Sequence, residues 1–160
     1  MAGMTNHRWS QGFSRHRFAG VNTLENKELL RGIFERMARG DVAALGAALA
    51  DDCRWVFPGN WSWSGVWEPK TEVLHGLLRP LMTQFADGYR MEADFLLAEQ
   101  DRVVVQARGY GLTRRGDDYH QTYCLIFRLA DGRITEIIEH CDTALVERVL
   151  DPILTPPIAG

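Results

Sequence analysis

The sequence predicts an α+β fold in which a curved antiparallel sheet wraps around helices, leaving a cone with an open mouth. Two observations carry this expectation. Up to about Phe85 the apolar residues recur at three-to-four spacing, and after Asp87-Gly88 they alternate with period two through four successive runs. Those runs are joined by short turns bearing Gly or Asp, as antiparallel neighbours require, so helices come first and a meander follows.

The helical part opens at Thr23, a candidate N-cap, and places Leu24, Leu29, Leu30, Ile33, Phe34 and Met37 on one face before Gly40 ends it. A shorter helix is expected over Asp41 to Ala50, with Asp41 as its cap. Cys53 to Phe57 reads as a strand stopped by Pro58-Gly59, and Asn60 to Trp67 as a loop holding Trp61, Trp63 and Trp67. The next helix runs from about Pro69 to Phe85 with a wide apolar stripe, and Pro80 interrupts it. The four strands are expected at Tyr89 to Glu99, Arg102 to Thr113, Tyr119 to Leu129 and Arg133 to Cys141. Asp142 and Thr143 then cap a last helix over Ala144 to Leu150.

With 160 residues, 46% of them hydrophobic and 24% charged, the chain has the size and composition of one globular domain. The expected division is an N-terminal extension at 1–22, the α+β domain at 23–150 and a C-terminal tail at 151–160. A net charge of −3 with interspersed signs gives no footprint for nucleic acid. Only the extension is basic, at His7, Arg8, Arg15, His16 and Arg17 among Trp9, Phe13 and Phe18. No apolar run suits a membrane span and no leader-type block opens the chain, so a cytoplasmic protein is expected. Cys53, Cys124 and Cys141 are odd in number and widely spaced, which suits packed thiols better than a disulfide framework or a zinc site. With no metal-ligand cluster and no phosphate loop in the sequence, no cofactor is expected.

Candidate chemistry concentrates in the last strand, where Glu139, His140 and Asp142 fall within four positions; alternation sends Glu139 to one face and His140 with Asp142 to the other. The preceding strand fixes which face is inside, because Tyr119, Gln121, Tyr123, Leu125, Phe127 and Leu129 form its more aromatic side. A two-residue Asp131-Gly132 turn would set Leu129 opposite Ile134 and bring His140 and Asp142 inward. A three-residue loop with Gly132 in a left-handed bulge would shift the pairing and set Tyr123 opposite Glu139.

The element order, the run Ala50-Asp51-Asp52-Cys53-Arg54-Trp55, the turn Asp131-Gly132-Arg133-Ile134 and the ending Glu139-His140-Cys141-Asp142-Thr143 resemble the SnoaL-like polyketide cyclases. These belong to the nuclear-transport-factor-2-like superfamily, together with ketosteroid isomerase and limonene-epoxide hydrolase. The resemblance spans about residues 23 to 150 and implies an acid/base carboxylate seven positions after the turn glycine, which is Glu139. It thereby favours the three-residue register, with Asp142 as a structural cap or alternative acid. It also implies strand-one wall positions at Trp55 and Phe57, and an Arg-x-Asp pair of which this chain keeps Arg108 but has Tyr110 for the aspartate. That departure weakens a hydrolase assignment.

The expected catalytic set is Glu139, Arg108, Tyr123 and Tyr110; a two-residue Gly116-Asp117 turn would set Tyr110 opposite Tyr123 and Arg108 opposite Leu125, so that both point inward. The expected substrate-binding set is Trp55, Phe57, Trp63, Trp67, Leu77, Leu81 and Gln121. An apolar cavity with these groups suits proton transfer on a hydrophobic oxygenated molecule: isomerisation, cyclisation or dehydration of a polyketide- or steroid-like ketone. A buried Arg108–Glu139 ion pair in a non-catalytic binding protein is the alternative. The partner expectations are a hydrophobic small molecule and a second copy of the chain, paired through an outer sheet face bearing Thr122, Cys124 and Ile126.

Overall fold

The structure, a computed structural model, describes residues 22–153; the basic extension and residues 154–160 of the tail lie outside the described residues. Asn22, not Thr23, caps α1 (Thr23–Met37): its Oδ1 accepts from Glu25 N at 3.1 Å, while Thr23 Oγ1 donates to Gln100 O at 3.1 Å. Leu30, Ile33, Phe34 and Met37 are the buried stripe of this helix. α2 (Ala43–Ala48) is shorter than the sequence suggests and has no side-chain cap, because Asp41 is taken by Arg36 Nε at 2.8 Å. The chain becomes extended at Leu49, so β1 (Leu49–Phe57) starts four residues before Cys53. β2 (Gly65–Trp67) is a short strand inside the expected aromatic loop, pairing Trp67 with Trp55.

The helix expected from Pro69 to Phe85 is built in three pieces: α3 (Lys70–Glu72), a π-helical stretch over Val73–Leu78, and α4 (Arg79–Met82). Pro80 is the physical reason. It has no N–H, and its ring would strike the carbonyl of Gly76 in a regular helix, so the backbone widens and Arg79 N–H reaches Leu74 O five residues back. Gly76 also leaves room for the Trp67 ring, which a Cβ there would meet at 2.9 Å.

β3 (Phe85–Glu99), β4 (Arg102–Thr113), β5 (Asp118–Ala130) and β6 (Arg133–Cys141) form the meander, and α5 (Thr143–Val149) ends the described fold. The sheet order is β2-β1-β6-β5-β4-β3. All neighbours are antiparallel except β1 and β6, which run parallel through pairs such as Trp55 with Ile137. Bulges at Asp94 in β3 and Thr135 in β6 break the register and bend the strands, giving an open, curved sheet with the helices on its concave side. β5 buries Tyr119, Gln121, Tyr123, Leu125, Phe127 and Leu129 in strict alternation, as its sequence predicts. Phe34 meets Phe127 edge-on at 6.0 Å, which fixes α1 against that face.

Both expected hairpin geometries occur, but in exchanged places. The β5–β6 turn is the two-residue one, with Ala130 paired to Arg133, Leu129 to Ile134, and Asp131 and Gly132 both at positive φ (50° and 71°). The glycine-bulge loop belongs to β4–β5. There Thr113 N donates to Asp117 O at 2.9 Å, and Gly116 takes φ 90°.

Candidate active site

Glu139 faces the concave side, although the turn before it is the one expected to turn it outward. The bulge at Thr135 adds one residue to β6, so Ile134 and Ile137 are both fully buried and the face of every later residue is inverted. Glu139 therefore lies opposite Leu125, and Tyr123 opposite Cys141; the expected Tyr123–Glu139 pairing is off by two, which preserves the face. His140 is exposed on the convex side opposite Cys124. Asp142 caps α5, its Oδ1 accepting from Leu145 N at 3.1 Å.

The concave side holds a cavity of about 480 Å³. Trp55, Phe57, Leu77, Leu81, Tyr123 and Glu139, all expected at the site, line it together. Trp55 and Phe57 stand two residues apart on β1 with rings nearly parallel, and Leu77 and Leu81 close the space from the broken helix. The Trp55 indole Nε1 donates to Glu139 Oε2 at 3.0 Å. Burial pushes the Glu139 carboxyl up to about 8, against the smaller opposing pull of the Trp55 indole and the Cys141 thiol, which favour the charged form.

Besides the charged Lys70 and Arg79, Tyr89 is the hydroxyl-bearing lining residue that the sequence reasoning missed. Its hydroxyl lies 2.6 Å from that of Tyr123, so one phenol donates to the other and the acceptor keeps a proton for a third group. Burial raises both phenols well above their ordinary range and keeps them protonated. A signal existed in β4. Gly109 and Gly111 fall at alternate positions on the inner face, opposite Met91 and Tyr89 of β3, and their missing side chains are the space into which Tyr89 and Phe85 fit.

Five expected site residues lie elsewhere. The β4–β5 register pairs Arg108 with Thr122 and Tyr110 with His120, three residues away from the expected pairing; an odd offset inverts the face, so both point to the convex side. Arg108 makes a half-exposed ion pair with Asp94, held by hydrogen bonds of Nε at 3.0 and 3.1 Å, and Tyr110 packs edge-on against His120. There is no Arg108–Glu139 pair. Gln121 is fully buried but structural: Nε2 donates to Asp142 O at 3.0 Å while Oε1 accepts from Asp142 N at 2.9 Å and Thr122 N at 2.8 Å. The amide thereby anchors the start of α5, leaving nothing for a ligand. Trp63 stacks on Trp61 and meets Phe57 edge-on, and Trp67 is packed on the π-helical stretch; both belong to the hydrophobic core and neither lines the cavity.

A family model described as the SnoaL-like domain matches residues 30–137. The chain belongs to this SnoaL-like family. Its superfamily is the nuclear-transport-factor-2-like one, and the α+β cone is that superfamily's fold. A nuclear-transport-factor-2-like protein of unknown function from Burkholderia pseudomallei is 26% identical, with a TM-score of 0.66 over 78% of this chain and 96% of its own. A Jannaschia protein named as a SnoaL-like polyketide cyclase is 21% identical, with a TM-score of 0.65 over 84% of this chain and 95% of its own. TerC, solved with polyporic acid, is 20% identical, with a TM-score of 0.65 over 78% and 97%. At these last two identities the likeness shows the fold alone. No curated protein sequence matches this SnoaL-like chain. No helix among its described residues is long and apolar enough to cross a membrane.

Proposed function

We propose that this SnoaL-like protein performs acid/base chemistry on a hydrophobic oxygenated small molecule, with Glu139 as the proton-transfer group and the Tyr89–Tyr123 pair as hydrogen-bond donor. The observation that carries this is a buried carboxyl with a pKa near 8, in an apolar cavity that also holds a phenolic proton. A group titrating close to physiological pH serves as acid and base within one cycle. Ionised Glu139 takes a proton from carbon beside a ligand carbonyl, the C–H electron pair moves into the carbonyl system, and the enolate oxygen meets the free phenolic proton. Returning that proton from Glu139 to another carbon gives an isomer. Delivering it to a β-hydroxyl expels water, and attack of the enolate carbon on a second carbonyl of the same molecule closes a ring. An epoxide hydrolase assignment draws little support, since Arg108 and Tyr110 lie on the convex side.

The test is hydrogen–deuterium exchange into a polycyclic ketone, tetralone or decalone, in deuterated buffer. Protein-dependent exchange is expected to rise with the ionised fraction of Glu139 and to level off above about pH 8. Ligand-induced stabilisation without exchange would instead identify a non-catalytic binding protein. Absence of stabilisation by polycyclic ketones, epoxides and aromatic polyketides alike would count against both.

The convex face supports a second proposal, that the protein is a homodimer. Phe95 and Leu97 are 54% and 56% exposed and point to that face with Cys124 and Ile126, so pairing with another copy would remove large apolar side chains from water. Light scattering at micromolar concentration is expected to give twice the chain mass, and a monomer mass would contradict it.

A further inference from the structure

The charged groups that line the cavity are unevenly placed. Among the described residues Glu139 is the single acid in the lining, partly buried and held by the Trp55 indole, whereas Lys70 and Arg79 are two bases. Lys70 Nζ is held by Leu49 O at 2.9 Å and approaches the fully exposed carboxylate of Asp51 only to 3.8 Å. Arg79 is exposed on α4 while lining the cavity, which places it at the opening, and no carboxylate among the described residues lies within ion-pair distance of its guanidinium. Two bases against one acid give the lining net positive charge, with Arg79 the exposed member, and burial of the Glu139 carboxyl, which favours its neutral form, adds to that excess.

We propose that the cavity selects amphipathic anions: molecules with an apolar ring body inserted between Trp55 and the broken helix, and a carboxylate or sulfonate left at the mouth on Arg79. This rests on the pocket assignment made above and adds to it the charge of the ligand and the end by which it is held. A guanidinium presents a fork of donors that matches a planar or tetrahedral oxyanion while remaining hydrated at the rim. A cavity of about 480 Å³ accepts a two- or three-ring body. Electrostatic selection at an exposed rim acts through modest affinity and through association rate, and salt weakens it.

The experiment uses two dyes of one skeleton, anilinonaphthalene sulfonate and uncharged phenylnaphthylamine, titrated against the full chain by fluorescence. Both are expected to bind, and Leu81→Trp, or Met82→Trp should that variant fold poorly, is expected to abolish both by filling the cavity. Arg79→Gln should weaken the sulfonate dye about two- to fivefold and leave the neutral dye unchanged, and Arg79→Glu should weaken the sulfonate dye about tenfold. Dyes that bind in the cavity with no response to either Arg79 substitution, or with an equal loss for both, would overturn anion selection and leave the pocket standing. Failure of both dyes to bind, or binding that survives the filled cavity, would overturn the pocket assignment and the selection with it.

Discussion

Glu139→Gln is expected to abolish proton exchange and at the same time to stabilise the protein at alkaline pH. The loss of exchange should be about 10²–10⁴-fold, the usual contribution of a general acid or base, because the amide cannot carry the proton. The gain in stability follows from the direction of the pKa shift. The usual carboxyl value of 4.5 is raised to about 8 in the folded protein by burial. Below pH 4.5 both folded and unfolded chains hold the proton, and burial of the neutral acid adds no pH-dependent cost. As pH rises from 4.5 to 8 the unfolded chain releases its proton while the folded one retains it, so stability falls steadily, by about 3–5 kcal/mol in all. Above about 8 both forms are ionised and the loss is complete. Glutamine does not titrate, and its amide oxygen can still accept from the Trp55 indole. Urea unfolding should therefore show the variant gaining on the parent across that window and running parallel to it outside. Two curves that stay parallel from pH 4.5 to 8 would mean that Glu139 titrates normally and is no candidate for this role.

A stabilising substitution at the carboxyl proposed for proton transfer is what a built site predicts, since a desolvated acid is retained against the stability of the fold. The sequence pointed to this carboxyl, but through a hairpin that does not form. Period-two alternation in β5 is strong enough to assign its inner face unaided, and the resemblance placed the acid at Glu139. A bulge is invisible to period counting; its trace is the pair Ile134 and Ile137, apolar at a spacing of three where strict alternation would put them on opposite faces. The opposite error affected Arg108 and Tyr110. Gly116 looks equally compatible with a two-residue or a three-residue turn, and the difference moves a whole strand face. Composition misled at the tryptophans, because a Ser-, Gly- and Asn-rich segment reads as loop although Trp67 pairs into the sheet and Trp63 is 5% exposed. Nor does any local signal disclose the parallel β1–β6 contact, which is decided by packing between segments some eighty residues apart.

The tyrosine pair rests on a residue without a side chain, and Gly109→Ala is expected to break it. Gly109 lies within β4 and requires no unusual backbone, so the constraint is space: an added Cβ would stand 1.7 Å from Tyr89 Oη, 2.6 Å from Tyr89 Cζ and 2.9 Å from Tyr123 Cε2. None of these atoms can yield cheaply. Both rings are buried, Phe85 lies stacked against Tyr89 at 4.9 Å, and the hydroxyls are tied at 2.6 Å. Overpacking of this kind typically costs about 1–3 kcal/mol, although alanine would suit a strand slightly better than glycine. Displacement of the Tyr89 ring should also separate the two hydroxyls and lower exchange into a bound ketone, with the Glu139 carboxyl left in place. A double-mutant cycle isolates the cause: combined with Tyr89→Leu, which removes the hydroxyl and the ring carbon nearest the new methyl, Gly109→Ala should cost much less than it does alone. Equal costs in the two backgrounds would show that the glycine is required by something other than the ring of Tyr89.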